Sequence, residues 1–393
     1  MLKNVYIAGP VRTPHGAFNG AFASMTAAQL GSVAIAEALK RTGITGEDVD
    51  EVIMGNVVSA GLGQNVARQA TLGAGLPLKV GATTVNKVCG SSMRAIMFAS
   101  QAIQCGDSGV VVAGGCESMT NAPYYLPKAR SGYRMGDGVL VDGMIKDGLW
   151  DVYSDRHMGV CGDQCAEKYN ITREQQDNFA VESFHRAIKA WDDGFYAKEV
   201  VPVEVKSRKS TVVVDKDEDV AKFRGDDKLR ALRPAFGKEG TVTAGNASGI
   251  DDGASAMVLF GDDQKGKLGI KPAGKVLGFS IYATEPDQFT IAPIGAIKGL
   301  CEKLSIKTGD VDLFEINEAF AVVTQVAINE LKLDHGKVNV AGGAVAMGHP
   351  IGSSGSRIVV TLLNALEHKG KKLGIATACL GGGEAIAIAV ERC

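Results

Sequence analysis

The sequence predicts an α/β protein of two related halves, each alternating strands with helices, with a segment of different character inserted from the first half. Internal repetition comes first. "LKRTGITGEDVDEVIMGN" (39–56) and "CEKLSIKTGDVDLFEIN" (301–317) each read as a helical stretch, a polar turn, "DVD" and an apolar run suited to a buried strand. Asp48 and Asp310 stand 262 residues apart, and so do Gly90 and Gly352, which open "GSSMR" and "GSSGSR". A third pair, "VVVAGGCES" (110–118) and "IATACLGGGEA" (375–385), follows in the same order with a small insertion. Matches at one spacing and in one order mark a duplicated unit. The inserted segment, about residues 120–250, is rich in charge, Trp, Tyr and Met. Within it, "TREQQDNFAVESFHRAIKAWDDG" predicts a helix with Thr172 as N-cap, Gln175 three residues on, and Gly194 to end it. "TVTAGNASGIDDGASAMVLF" then returns to a strand pattern that suits the first half's sheet.

The 393 residues suffice for a sizeable core, and 45% hydrophobic with 22% charged residues is ordinary for a soluble globular chain. A formal net charge of −2 offers no basic field, so neither nucleic acid nor an anionic membrane is expected as a partner. No apolar run approaches the roughly 18 residues needed to span a bilayer. The opening "MLKNVYIAGPVRTP" enters a strand pattern at once, with neither the apolar core of a signal peptide nor an Arg/Ser-rich leader. Eight cysteines are scattered without the spacing of a disulfide scaffold. A cytoplasmic location is the expectation.

The chemistry centres on "VNKVCGSSMRA" (85–95), a strand, a tight turn and a helix start with Cys89 at the turn. Free backbone N–H groups and the positive end of the helix dipole would favour a thiolate there. The same N–H groups suit an oxyanion formed by attack on an acyl carbon. On this segment alone, Cys89 reads equally as a small buried residue at a helix start. "NVAGGAVAMGHPIGSSGSR" (339–357) places His349 in a glycine-rich loop leading into a helix, close to the repeat position of Cys89. If the halves pack about a pseudo-twofold axis, the two helix N-termini face one cleft and a base meets the thiol. "ATACLGGGEA" adds Cys379 at the end of a buried strand, with the Gly381 N–H as a second oxyanion donor. "FEINEAF" sets Asn317 and Glu318 at a strand end, although Asn317 also reads as a simple helix cap. His157, Cys161 and Cys165 recur at four-residue spacing, but one helical stripe rarely closes a tetrahedral shell, so no metal site is predicted.

Taken together, "NKVCGSS", "NEAF", "GGAVAMGHPIGSSGSR" and "CLGGGEA" closely resemble the active-site motifs of thiolases. "VRTPHGAF", "GLGQNVARQ", "GYRMGD", "DGLWD", "HMG" and "GTVTAGNASG" extend the likeness over essentially the whole chain. It is most similar to the short-chain biosynthetic type, the acetyl-CoA acetyltransferases. The resemblance implies a thiolase fold: two similar halves, each a five-stranded sheet with helices, stacked as an αβαβα sandwich of five layers, with an inserted loop domain. On this chain that means a first half at 1–119 completed by 251–271, a CoA-binding loop domain at 120–250, and a second half at 272–393.

The activity implied is a ping-pong Claisen condensation of two acetyl-CoA into acetoacetyl-CoA and CoA, with no permanently bound cofactor. Cys89 carries the acetyl group, His349 takes its proton, and Cys379 deprotonates the second acetyl-CoA. The first oxyanion hole would be the N–H groups of Cys89 and Gly381, the second His349 with a water held by Asn317. Positions matching the family's CoA contacts are Leu149, His157, Met158, Phe236, Ala244, Ser248, Ala319 and Phe320. "PYYLPKARSGYRMGD" resembles a tetramerisation loop, implying a homotetramer built as a dimer of dimers.

Departures from the family pattern are as informative. Ala221, flanked by Lys222 and Arg224, stands where relatives often place an arginine against adenosine. Phe289 replaces a methionine of the acyl pocket, as in mitochondrial-type enzymes, which implies tolerance of 2-methyl-branched substrates. Phe184 replaces a tyrosine ligand, so no potassium site is expected. Glu384 stands where Gln, Met or Gly is common, and the sequence gives no physical account of it. A degradative 3-ketoacyl-CoA thiolase of broader chain length would use the same catalytic residues. A ketoacyl synthase would need His or Asn in place of Cys379. A non-catalytic CoA- or acyl-binding relative would be expected to lose Cys89, His349 or Cys379, and none is lost.

Overall fold

One ten-stranded sheet runs through both halves of the computed structural model, which describes residues 3–206 and 210–393. Its main strands are β1 (Val5–Arg12), β2 (Glu51–Gly55), β3 (Gly81–Val85), β4 (Val110–Ser118), β5 (Asp251–Gly261), β6 (Gly274–Ala283), β7 (Leu313–Ile316), β8 (Leu373–Leu380) and β9 (Glu384–Arg392). The short strand Gly16–Ala17 pairs with the start of β5. The order across the sheet is β7-β8-β9-β6-β1-β5-β4-β2-β3. Within the sheet the halves join where Val5, Tyr6 and Ile7 of β1 run antiparallel to Val276, Lys275 and Gly274 of β6.

Helices cover both faces of this sheet and fill the space between its halves. They are α1 (Ala27–Thr42), α2 (Val66–Gly73), α3 (Ser91–Cys105), α4 (Met158–Lys168), α5 (Arg173–Asp192), α6 (Ala292–Leu304), α7 (Ala321–Leu331) and α8 (Ser354–His368). In the central layer, Ile96 and Ile103 of α3 and Ile358 and Leu362 of α8 share one buried cluster with Val111 of β4 and Ile388 of β9. Leu30 and Ile35 of α1 and Ala67 of α2 cover the outer face of the first half, against Val52, Val112 and Val258. Ile297 and Leu300 of α6 do the same for the second half, against Ile316, Ile375 and Ala387. Every apolar helix stripe is thus met by an apolar sheet face, which gives five layers. The duplication is visible in the element limits: α1 and α6 end at Thr42 and Leu304, 262 residues apart.

The halves differ in one respect. The second half has four regular strands, and its fifth position is a single bridge between Val338 and Phe314. The next residue, Asn339, has a left-handed φ of 47° and turns its side chain into the ladder. Ile316 N donates to Asn339 Oδ1 and Asn339 Nδ2 donates to Ile316 O, both at 2.8 Å. A carboxamide carries the donor and acceptor that a strand peptide would supply.

In the inserted segment, α5 begins as the sequence predicts, with Thr172 and Gln175 forming a reciprocal capping box. It ends at Asp192, with Gly194 at φ 73° just beyond. Arg12 of β1, fully buried, ties this segment to the sheet through Glu199 (2.6 Å) and Asp217 (2.7 Å). Such a buried charge tolerates no missing partner. Among the described residues, no helix is long and apolar enough to cross a membrane.

Candidate active site

The chain enters Cys89 through Val88, whose φ of 46° is a costly conformation for a β-branched residue. Local hydrogen bonds hold the turn. Val88 N donates to Asn86 Oδ1 (3.0 Å), Lys87 N to Ser91 Oγ (2.8 Å), and Ser91 Oγ to Val88 O (2.6 Å). The result is a buried thiol at the mouth of α3. The N–H groups of Cys89 itself and of Gly381 point at its sulfur. Burial nevertheless pushes the thiol up to about 12. The thiolate expected from the helix N-terminus is therefore not the resting state: desolvation outweighs the N–H groups, and a base has to take the proton during attack.

His349 is the buried imidazole that the sequence offers as a base. Its Nδ1 lies 2.5 Å from Ser354 Oγ, and that hydroxyl donates its one proton to Pro350 O at 3.0 Å. This network assigns the imidazole proton to Nδ1 and leaves Nε2 as the acceptor. Asn317 Nδ2 stands 3.4 Å from Nε2. Arg357 Nη2 donates to Asn317 Oδ1 at 3.2 Å, which turns the amide NH₂ toward the ring. Burial, reinforced by the Arg357 charge, pushes His349 down to about 3, so the ring is neutral. Gly348 makes the close approach possible: at φ 90°, a Cβ there would fall 2.1 Å from Asp251 Cγ.

Cys379 is the last residue but one of β8 and is buried. Burial first, and then the neighbouring Cys89 thiol, push it well above the ordinary thiol range. Cys89, Cys379 and Gly381 therefore converge on one point, and Asn317 and His349 on another at the start of α8.

The expected CoA contacts fall into groups. Met158 opens α4 beside Gly381, its Cε 3.4 Å from where a Cβ on that glycine would lie. His157 caps α4 by accepting from Gly159 N (3.0 Å) and stacks on Phe236 at 4.5 Å. Phe236 meets Phe320 edge-on at 6.3 Å, and Phe320 leans on Phe289 at 6.5 Å. Met158, Phe289, Ala319, Phe320 and Cys379 belong to one buried apolar cluster, with Phe236 packed against it. Ser248 N joins it by donating to Ala319 O at 3.1 Å. Two residues stand apart. Leu149 packs against the cluster that contains Cys89, and Ala244 lines a cavity of about 330 Å³ with Lys222, Arg224 and Lys228. Cys161 and Cys165 turn into the apolar cluster, and among the described residues no group of three or more His, Cys, Asp or Glu is placed to hold a metal.

Sequence reasoning gave no role to Ser354, Arg357 or Glu117. The first two lie inside "GSSGSR", three apart and so on one face of α8, which was the available signal. Glu117 is a fully buried acid in an apolar strand. It accepts from Val57 N (2.9 Å), Val58 N (3.2 Å), Asn56 Nδ2 (2.8 Å) and Gly352 N (2.9 Å), tying a first-half loop to the His349 loop. Burial pushes its carboxyl up to about 7.

Comparison with known proteins agrees with this geometry. The family described as thiolase, N-terminal domain, matches residues 5–263, and thiolase, C-terminal domain, matches residues 270–392. Acetyl-CoA acetyltransferase 2 of Arabidopsis thaliana is 52% identical, covering 99% of this chain and 97% of its own. An acetyl-CoA acetyltransferase of Saccharomyces cerevisiae is 49% identical with 100% of both chains covered. Among solved structures, a Bacillus anthracis acetyl-CoA acetyltransferase superposes with a TM-score of 0.98 at 40% identity, covering 100% of this chain and 99% of its own. A thiolase of Ascaris suum in complex with coenzyme A gives 0.94 at 45% identity, with 100% of both chains covered. Matched by both domain families over nearly its whole length, the chain belongs to the thiolase family.

Proposed function

We propose that this chain is an acetyl-CoA C-acetyltransferase that joins two acetyl-CoA reversibly into acetoacetyl-CoA and CoA through an acetylated Cys89. The observation that carries this reading is the pair of buried neutral thiols, Cys89 and Cys379, meeting at the Gly381 turn, while the helix after the neutral His349 joins the helix after Cys89 where Ser356 N donates to Ser92 Oγ at 2.8 Å. In the first half-reaction, Cys89 loses its proton to His349 Nε2 as the sulfur attacks the thioester carbon. The oxyanion is held by the N–H groups of Cys89 and Gly381. The thioester C–S bond then breaks, and the CoA sulfur leaves with the proton from His349. In the second half-reaction, Cys379 passes its own proton to His349 Nε2 and takes one from the methyl group of a second acetyl-CoA. The enolate oxygen is held by the His349 Nε2–H so formed and by a water held by Asn317. The carbanion attacks the acetyl carbon, the Cys89 sulfur departs, and His349 returns the proton to it.

CoA is assigned to the segment 120–250, read as the loop domain, with its pantetheine along Met158, Ala319 and Phe320. The cations Lys222, Arg224 and Lys228 around the Ala244 cavity suit the phosphates in the absence of an arginine at 221. Phe289, only 1% exposed, closes the acyl pocket against Phe320, which fits a four-carbon ketoacyl chain better than a longer one. The purified protein is expected to cleave acetoacetyl-CoA and 2-methylacetoacetyl-CoA with CoA, and 3-ketohexanoyl-CoA at least about tenfold more slowly, since each misfitting methylene costs roughly 1–3 kcal/mol. Comparable rates on the six-carbon substrate would move it to the degradative class. Failure on the branched substrate would remove the role given to Phe289.

We assign the chain to the cytoplasm and to a homotetramer. Leu126, Met135, Val139 and Leu140 are exposed on the segment that resembles the tetramerisation loop, Met135 by 99%, which supports assembly through it. Sedimentation equilibrium is expected to give four chains per particle, and a monomer at assay concentration would overturn the assignment.

A further inference from the structure

We propose that the ion pair between Lys87 and Glu384 is a positioning clasp that sets the spacing of the two N–H donors in the first oxyanion hole. It rests on the acyl-transfer reading above. Lys87 Nζ donates to Glu384 Oε2 at 2.6 Å, with the side chains 20% and 32% exposed. The residues are 297 apart in sequence, yet each stands within three positions of a donor, Lys87 just before Cys89 and Glu384 just after Gly381.

Neither donor is fixed by regular structure. Cys89 follows the left-handed Val88, and Gly381 opens a turn whose next residues, Gly382 and Gly383, have φ of 88° and 83°. Lys87 moves with the Cys89 turn, because its N–H is bound by Ser91 Oγ and its carbonyl accepts from Gly90 N (3.0 Å). Glu384 is held more firmly. It is the first residue of β9, opposite Leu380 on β8 and Ala283 on β6. The two turns also touch where Gly90 faces Leu380, so closely that a Cβ on Gly90 would lie 2.4 Å from Leu380 Cδ2. That apolar contact limits approach without fixing separation. The ion pair adds a directional tether from a rigid strand end to the softer cysteine turn.

The repeat gives the clasp a further meaning. Lys87 and His349 are 262 residues apart, the spacing of the duplication itself. The same position carries a proton acceptor in one half and the tether in the other. Glu384, a departure from the residues common in the family, then has a physical role.

The test uses the full-length enzyme as Lys87→Met, Glu384→Gln, and the charge-reversed double variant Lys87→Glu with Glu384→Lys. Four quantities are measured: the burst of CoA release from acetyl-CoA, KM for acetyl-CoA, the pH profile of Cys89 alkylation by iodoacetamide, and Tm. Each single variant is expected to slow the burst roughly tenfold, as a small misplacement of catalytic groups does, with KM within about twofold. The alkylation profile should not move, because alkylation forms no oxyanion, and the double variant should recover most of the burst. Unchanged bursts in folded single variants would sink the clasp. So would alkylation profiles shifted in opposite directions, which would make the pair a tuner of thiol charge, or a folded double variant that recovers nothing. A wild-type enzyme releasing no CoA would sink the acyl-transfer reading first and the clasp with it.

Discussion

Cys89→Ala is expected to lose thiolysis of acetoacetyl-CoA by at least about 10⁴-fold while keeping its fold, since removing a covalent nucleophile leaves only binding and oxyanion stabilisation. The side chain is buried at the start of α3, yet a cysteine sulfur replaced by hydrogen leaves a small void, costing about 1 kcal/mol. Tm should therefore barely move, and CoA should still bind. Intact-mass measurement after mixing with acetyl-CoA should show an acetylated wild-type protein and an unmodified variant. Activity within about tenfold of wild type would remove Cys89 from the mechanism.

The second large effect is expected at His349, with Asn317 as its control. His349→Ala removes the proton acceptor of the first half-reaction and an oxyanion donor of the second, so both should fall by about 10³-fold. The Asn317 side chain meets His349 Nε2 and Arg357, and it enters the proposed reaction only through the water it would hold. Asn317→Ala should slow condensation by about 10–100-fold and leave the acetylation burst within a few-fold of wild type. Stopped-flow CoA release separates the two half-reactions. The pH dependence has a definite sign. Burial holds His349 near 3, well below its ordinary value, so the neutral base is present at every pH above that. The wild-type kcat/KM profile should lack an acidic limb near pH 6.5. A limb there that disappears in His349→Ala would place a charged imidazole in the resting enzyme.

Much of this site could be read from the sequence, because reactive side chains in glycine-rich turns advertise themselves against apolar strands. The candidates Cys89, His349, Cys379 and Gly381 were picked out in that way, and the repeat spacing of 262 set His349 within two positions of Cys89 before any fold was known. The protonation state of Cys89 could not be read. Helix position argues for a thiolate, and only the packing of Leu380, Val88 and Met158 around the turn reveals how dry it is. The wiring behind His349 was hidden for a related reason. Ser354 and Arg357 look like ordinary helix residues until α8 is laid against the strand that carries Asn317. The incomplete fifth strand of the second half was hidden as well, since a side chain such as that of Asn339, which replaces a strand's hydrogen bonds, leaves no mark in a hydrophobic pattern. Ala244 was grouped with the CoA contacts by family likeness alone, and the fold sets it in a cavity of its own with Lys222, Arg224 and Lys228.

The strand shared by the two halves has a consequence for biosynthesis. β1 leaves the ribosome long before its neighbours on either side, β5 and β6, which come from residues 251–261 and 274–283. Until those emerge, β1 has two open edges and no permanent place. Such long-range pairing is slow and leaves apolar surface exposed while translation continues. A fragment ending near residue 250 carries the reactive cysteine, but it lacks the strands that would seat its own first segment. Truncated messages should therefore yield aggregates or degraded peptides, and the Cys89 thiol meets the Gly381 turn only once synthesis has passed residue 381.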